Sequence, residues 1–508
     1  MSVNGKITEI ADLSVRLNSA RQSGKKIVHC HGVFDLVHVG HIRHFTQAKK
    51  LGDLLVVTLT ADEFVNKGPH RPAFNQRLRA ETIAALECVD LVAINHDPSA
   101  VPAIRAICPD LHVKGSDYRD RQKDENSKLK AEEQAVIAGG GELVFTDDLQ
   151  FSSTSLINTH LSQFPENVET YLRELREKEM LNEVRGILSR FKGLKVLVVG
   201  EAILDEYRYC EAIGKAGKEP VLVASYKSNE EFAGGTLAIA NHIAGFADTV
   251  GLLTYLGATN SREDFIRERL RPNVIANFLY SEDRPTIAKL RYVENYLLQK
   301  LFEVYTMNDA PLNPREEEQF CNVLKSEVEK YDVVVVADYG HGMISDQAVK
   351  VLCKHAKFLA VNTQANAGNR GFHTISRYPR ADYVSLSHLE LGLEMRLRDG
   401  DAQEMIKTVL TRMDCPIFTV TRGRHGIITY DRRSGFAQGP GLTQHIVDRV
   451  GSGDAVLSVT SMAAALGASA EVIAFLGNVA GSEAVKIVGH RSFLEAKSLE
   501  RHVDSLLK

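Results

Sequence analysis

Short β-branched runs alternate with stretches of helical spacing along most of the chain, in two series separated by a charged stretch. Residues 27–33 (IVHCHGV) and 54–60 (LLVVTLT) have strand length, and HIRHFTQAKKLG between them has helical spacing. Such a strand–helix–strand unit requires a parallel sheet covered by helices, so the chain reads as α/β. The first series predicts a helix over 74–87, a strand at Leu91–Ile94, a helix near 99–107, a strand near Leu111–Lys114, a helix at 126–138 and a strand at Glu142–Phe145. The second opens at Lys195–Gly200, with strands expected at Thr249–Leu253, Val333–Ala337, Phe358–Val361, Tyr383–Leu386, Ile417–Val420 and Gly426–Tyr430. Between Tyr207 and Phe232 polar and apolar residues alternate, which fits a small antiparallel excursion serving as a lid or subunit contact. Residues 454–487 are Ala-rich and apolar at helical spacing, so two packed helices are expected there.

A length of 508 residues exceeds one ordinary domain. The boundaries read as 1–165, a helical linker at 166–192, and 193–508. The linker, ENVETYLRELREKEMLNEVRGILSRFK, is rich in helix formers and reads as a connecting helix or helical pair on a domain surface, or more plainly as a solvated linker. It is too short and irregular to argue for a coiled coil. Sixty-one basic residues against 65 acidic ones, net −4, give no broad reason to expect a nucleic-acid partner. The seven cysteines are scattered, odd in number and without C-x-x-C spacing, which disfavours disulfides or structural zinc and suits a reducing cytosol. Neither a signal-type N-terminus nor a run of about 20 uncharged apolar residues is visible, so a cytoplasmic protein with no membrane partner is expected.

Two glycine turns carry the chemistry. The first, G32-V-F-D-L-V-H-V-G-H41, follows a strand and opens a helix, whose unpaired N–H groups and dipole favour phosphate. Gly40 permits close approach, while His38 and His41 can donate hydrogen bonds to a triphosphate attacked at its α-phosphorus. A zinc reading of these histidines with His29, His31 and His44 lacks a Cys or carboxylate to complete the shell, and the metal ligands stay unknown. The second turn, Asp448–Asp454 (DRVGSGD), also precedes a helical stretch. Its glycines make an anion-binding turn and Asp454 can deprotonate a substrate hydroxyl, although a lone G-x-G-D also reads as a structural helix cap.

Residues 26–160 resemble the nucleotidyltransferases with a His-x-Gly-His motif, at Lys67-Gly68, Arg71-Pro72, Arg77, Val113–Tyr118 and Ser152–Ser155 as well as at the motif itself. They are most similar to the transferase domain of bifunctional heptose-phosphate kinase/nucleotidyltransferases. The resemblance implies a Rossmann-like domain in which His38, His41 and Lys67 serve catalysis, with Lys67 and Arg77 neutralising charge. Gly32, Phe34, Gly40, Arg77, Ser153 and Thr154 fall on the nucleotide side. Asp35 is expected to orient a histidine or bind substrate. Lys114, Asp117 and Tyr118 are expected beside the substrate or base, their other reading being turn and surface residues.

From Lys195 onward the chain resembles ribokinase-like sugar kinases, at VVGEAILDEYRY (198–209), FAGGTLAIANHIA (232–244), RPTIAKLRYV (284–293), VVVVADYGHGMI (333–344) and TVTRGRHGIITY (419–430). That implies an α/β domain with a small β lid and Asp454 as base. Gly451, Ser452 and Gly453 would form the anion hole, Thr421, Gly423 and Asn478 would border ATP, and Asp205, Gly234, Gly235 and Asp338 would meet the substrate. Three positions depart from the family: Ala238 replaces an Asn, Gly200-Glu201 a Gly-Asp pair, and Asn362-Thr363-Gln364 an Asp-Pro-Lys run. The kinase therefore acts on another sugar phosphate or is impaired.

The implied protein is a cytoplasmic homodimer using ATP, ATP or CTP as nucleotidyl donor, and Mg2+. It would activate a heptose-type sugar for surface polysaccharide such as lipopolysaccharide, with a separate phosphatase acting between the two steps. Its order is unusual, since the resembling enzymes usually place the kinase first. Two alternatives stay open: a polyol- or glycerol-phosphate cytidylyltransferase fused to a divergent kinase, or one fused to a non-catalytic dimerisation or sensing module.

Overall fold

The computed structural model describes residues 3–65, 72–115, 128–146, 164–296, 298–369, 371–443 and 446–508. The chain divides into two compact units, one built on Met1–Gln163 and the other on Phe164–Val503. No helix among the described residues is long and apolar enough to cross a membrane.

In the first unit the strands β1 (Ile27–Gly32), β2 (Leu54–Thr60), β3 (Leu91–Asn95), β4 (Leu111–Lys114) and β5 (Glu142–Phe145) form a parallel sheet in the order β3-β2-β1-β4-β5. The apolar runs bury both faces. Phe45, Ala48, Ala80 and Ile83, from the helices Val39–Lys50 and Gln76–Ala84, cover one face. Leu13, Leu17, Ala103 and Ile107, from the helices Ile10–Gln22 and Val101–Ile107, cover the other. Strand order reverses between β1 and β4, so the crevice beyond Gly32 and Lys114 is where such a sheet binds ligands.

The second unit carries β6 (Lys195–Gly200), β7 (Ala202–Lys215), β8 (Leu222–Gly235), β9 (Thr249–Gly257), β10 (Val274–Ser281), β11 (Ile287–Glu294), β12 (Lys300–Thr306), β13 (Val333–Asp338), β14 (Leu359–Thr363), β15 (Tyr383–Ser387), β16 (Ile417–Thr421), β17 (Ile427–Asp431) and β18 (Gly435–Gly439). Nine strands form one sheet, β10-β9-β6-β13-β14-β15-β16-β17-β18, antiparallel only at β17 and β18. The other four form a separate sheet, β12-β11-β7-β8, in which β7 and β11 run parallel. The expected excursion is thus half of a larger lid. Strands β10 to β12 are absent from the sequence expectation, and on β11 the reason is physical: Lys289, Arg291 and Val293 form its buried face, inverting the usual apolar-in alternation.

Residues 166–191 are not a solvated linker. They form two helices, Glu166–Glu177 and Met180–Phe191, whose Val168, Leu172, Leu175, Val184, Ile187 and Phe191 are buried. Lys178 pairs with Glu471 at 2.5 Å and Ser469 donates to Glu183 at 3.1 Å, tying the pair to the helix Ala470–Ala484. Each such buried apolar side chain stabilises by about 1.5–3 kcal/mol.

Gly200, at the end of β6, has φ +148°, and a Cβ there would lie 2.1 Å from the Ala337 carbonyl oxygen. Gly200→Ala is expected to destabilise this unit by about 2 kcal/mol or more, read as a fall in its unfolding temperature by calorimetry.

Candidate active sites

In the first unit His38 caps the helix Val39–Lys50. Its Nδ1 accepts from the Gly40 N–H at 3.1 Å, and His41 Nδ1 accepts from the His38 N–H at 3.4 Å. A ring nitrogen that accepts from a backbone N–H carries no proton, so each neutral imidazole holds its proton on Nε2. Burial lowers the His38 pKa, which favours that neutral form. The two rings, 4.0 Å apart, therefore carry their Nε2–H groups beside a helix N-terminus, the chemistry that suits charge developing on a phosphate.

Other residues of the motif build this loop. Phe34 adopts φ +48° and folds back over Gly32, where a Cβ would meet its ring at 2.9 Å. Its ring packs edge-on against His41, 5.4 Å between centroids. Asp35 is buried and accepts from the Phe74 N–H at 3.2 Å, fastening the next loop. Lys114 pairs with Glu132 at 2.7 Å at the end of β4. Arg77 is not brought to the loop: its side chain is 86% exposed and pairs with Glu81. The buried arginine is Arg79, overlooked in the sequence, which donates to the carbonyls of Val33, Thr60 and Phe74 and pairs with Asp62 at 2.6 Å. Lys67, Asp117, Tyr118, Ser153 and Thr154 lie outside the described residues. Among the described residues no group of three or more His, Cys, Asp or Glu is placed to hold a metal ion.

In the second unit Gly451, at φ +77°, caps the helix Ser452–Ala465, and a Cβ there would lie 2.2 Å from the His490 ring. Asp454 is 8% exposed, accepts from the Tyr339 hydroxyl at 3.0 Å, and has its carboxyl pushed above the ordinary value by burial. Two cavities meet at this turn. One, of about 510 Å³, is lined by Thr421, Gly423, Leu442, Gly453, Val456 and Asn478. The other, of about 420 Å³, is lined by Asp205, Gly235, Lys289, Gln364, Gly453 and Asp454. Shared Thr421, Arg449, Ser452 and Gly453 form the passage between them. Asp454 thus faces the smaller cavity, across the glycine turn from the larger one.

Asp205 is buried, paired with Arg291 and 3.5 Å from His490 Nε2; despite the cost of burial, Arg291 and His490 hold its carboxyl well below the usual range. Gly234 leaves room for it, since a Cβ there would lie 2.1 Å from Asp205 Oδ2. Asp338 does not line the smaller cavity; Arg377, the Tyr378 hydroxyl and the Gly340 N–H occupy its carboxylate. Two lining residues went unremarked in the sequence. Lys289 is 7% exposed, lies 5.2 Å from the Tyr305 ring centroid, and makes no ion pair among the described residues. Glu390 accepts the N–H groups of Ala365 and Ser387, with its carboxyl raised by burial. A lysine and an arginine at alternate positions of a strand-like run was the available signal for β11.

Two α/β sheets, each with a glycine-assisted helix N-terminus at its C-terminal edge, give both units a geometry that suits phosphate. The chain belongs to the pfkB family of carbohydrate kinases, whose pattern matches residues 194–497, and residues 29–159 match the cytidylyltransferase-like family. Similar relatives include the bifunctional protein HldE of Rhodopseudomonas palustris (strain BisB5), 40% identical over 150 residues. That of Nitrobacter winogradskyi is 41% identical over 149 residues. Each match covers 29% of this chain and 29% of the relative. Phosphofructokinase-2 from Escherichia coli in complex with potassium shares the fold, with TM-score 0.51 and 16% identity over 62% of this chain and 100% of that one.

Glu201 stands at the edge of the kinase site. Its buried carboxylate accepts the N–H groups of Tyr339, His341 and Met343 at 3.1, 3.2 and 3.4 Å. Burial, and then the Asp338 carboxylate, push it up to about 7 from an ordinary 4.5. A raised folded-state value favours the protonated form, so its contribution to stability is full below 4.5 and is lost as pH rises through 7. Glu201→Gln removes that loss. The unfolding temperature of the variant minus that of the wild type is expected to rise between pH 5 and pH 7.5; a flat difference would contradict the shift.

Proposed function

We propose that the chain is a bifunctional enzyme, a sugar-phosphate kinase in its second unit and a sugar 1-phosphate nucleotidyltransferase in its first, acting on a heptose or a similar sugar. The observation that carries the reading is the buried Lys289 ammonium in the acceptor cavity beside Asp454. A buried cation without a direct ion pair is costly even with the Asp205 carboxylate in its neighbourhood, and an acceptor bearing its own phosphate supplies a direct partner.

In the kinase step Asp454 takes the proton of the acceptor hydroxyl as its oxygen attacks the γ-phosphorus of ATP and ADP leaves. The N–H groups at Gly451–Gly453 receive the transferring phosphoryl, while Asp205 with Arg291 orients the sugar. Mg2+, when bound, would screen the triphosphate, and Glu390, one of the carboxylates lining this cavity, would face an ion held chiefly by phosphates. In the transferase step a sugar 1-phosphate oxygen attacks the α-phosphorus of ATP or CTP and pyrophosphate leaves, with the Nε2–H groups of His38 and His41 donating to the phosphate oxygens. A bisphosphate leaving the kinase has to lose one phosphate first, so a separate phosphatase stands between the steps. The product, an ADP- or CDP-activated sugar, suits surface polysaccharide synthesis in the cytoplasm. Asn362 and Gln364 line the acceptor cavity without charge, which supports an acceptor other than the usual heptose phosphate. Exposed Ile213, Leu222 and Tyr226 on the β7–β8 hairpin support a homodimer formed through the lid.

Phosphorus NMR on the full chain with a panel of sugar phosphates and ATP or CTP scores both reactions. Asp454→Asn is expected to lower phosphoryl transfer at least ~100-fold with nucleotidyl transfer retained, and His41→Ala to do the reverse. Loss of both activities in either variant would contradict separate sites. Lys289→Met is expected to raise KM for the phosphorylated acceptor about 10-fold or more while leaving KM for ATP in place, measured by coupled assay.

A further inference from the structure

Gly439 ends β18 in a space without slack. A Cβ placed on it would lie 2.6 Å from the Tyr171 hydroxyl oxygen and 2.7 Å from the ring carbon that bears it on one side, and 2.8 Å from Asn478 Nδ2 on the other, so the ring itself, not the hydroxyl alone, fills the space. Asn478, 6% exposed, donates through that Nδ2 to the Gly439 carbonyl at 3.2 Å and lines the nucleotide cavity. The same carbonyl abuts a second wall residue: a Cβ on Gly426, which has φ +75°, would lie 2.0 Å from it. Tyr171, Gly439 and the pair Asn478 and Gly426 are therefore stacked in direct contact, from the helix Glu166–Glu177 to the lining of the nucleotide cavity. Close-packed groups of this kind pass on displacement rather than absorb it.

We propose that Tyr171 is a positioning residue of the nucleotide site, setting the end of β18 and through it the orientation of Asn478. Its phenol buttresses the strand end from behind and touches no ligand itself. The helix that carries it is anchored independently: Leu172 and Leu175 are buried beside it and Lys178 pairs with Glu471 on the helix that bears Asn478. Any shift of the Glu166–Glu177 helix is thereby a shift of the nucleotide-cavity wall, and nucleotide binding in turn favours one placement of that helix.

The proposal rests on the reading of this cavity as the ATP site, and the test separates the two. In the full chain, KM for ATP and kcat of the kinase reaction are measured together with calorimetric binding of a non-hydrolysable ATP analogue. Tyr171→Ala is expected to raise KM and the analogue Kd at least fivefold with kcat within threefold and acceptor KM unmoved, and Tyr171→Phe to recover most of that loss. Gly439→Ala is expected to raise KM at least tenfold, and adding Tyr171→Ala to it to restore at least threefold by relieving one of the two clashes. Should Gly439→Ala not fold, the Ala and Phe variants at Tyr171 decide alone. A wild type that neither binds the analogue nor transfers phosphate would sink the reading of the site. A wild type that does both, with ATP affinity within twofold in Tyr171→Ala, or equal losses in the Ala and Phe variants, would overturn the role of Tyr171.

Discussion

The carboxylate of Glu201 is the point on which the kinase unit turns. It sits buried at the end of β6 and accepts three backbone N–H groups of the 339–343 loop, which follows the neighbouring strand β13. That loop carries Tyr339, whose hydroxyl donates to Asp454, so the proposed base is held through a two-step chain from the first strand of the sheet. A shorter Asp in the same place would have one carbon less to reach three N–H groups. The departure from the family's Gly-Asp pair is thus tied to how the loop is held, and Gly200 beside it leaves the room that the strand crossing needs.

Both sites spend buried polarity in the same manner. A group that would be costly alone is fixed by backbone or by an opposite charge, and its remaining capacity is aimed where a ligand belongs. In the first unit, backbone N–H groups occupy Nδ1 of His38 and His41 and so place the proton on Nε2. In the second, Arg291 and His490 hold Asp205 ionised while Lys289, one alternate position along β11, makes no ion pair among the described residues and lies near the Tyr305 ring. The two sites share a helix N-terminus and little else: in the proposed reading one would rely on imidazole donors, the other on a carboxylate with a raised proton affinity.

Much of this was legible in the sequence. The parallel strands announced themselves because both faces of such sheets are buried and the runs are continuously apolar. The turn residues His38, Gly451 and Asp454 stood out because short glycine turns before helices have few other uses. What escaped depended on partners far along the chain. Asp338 looked like a substrate residue, but Arg377 and Tyr378, some 40 positions later, claim its carboxylate. Arg77 and Arg79 are two residues apart on one helix, hence on opposite sides of it, and only the cap at Asn75 and the loop packed beside it decide which turns inward. Strand β11 was hidden by its own purpose, since charges on the inner face contradict the pattern by which strands are recognised.

The helical pair at 166–191 bears on how the halves of such an enzyme can be shuffled. A kinase begun at residue 193 would be missing the hairpin that covers its last two long helices, and would present to water the apolar groove where Leu172, Leu175, Val184 and Phe191 now lie. Any exchange of transferase modules in front of this kinase has to splice upstream of Phe164, because the joint is itself part of the kinase's masonry.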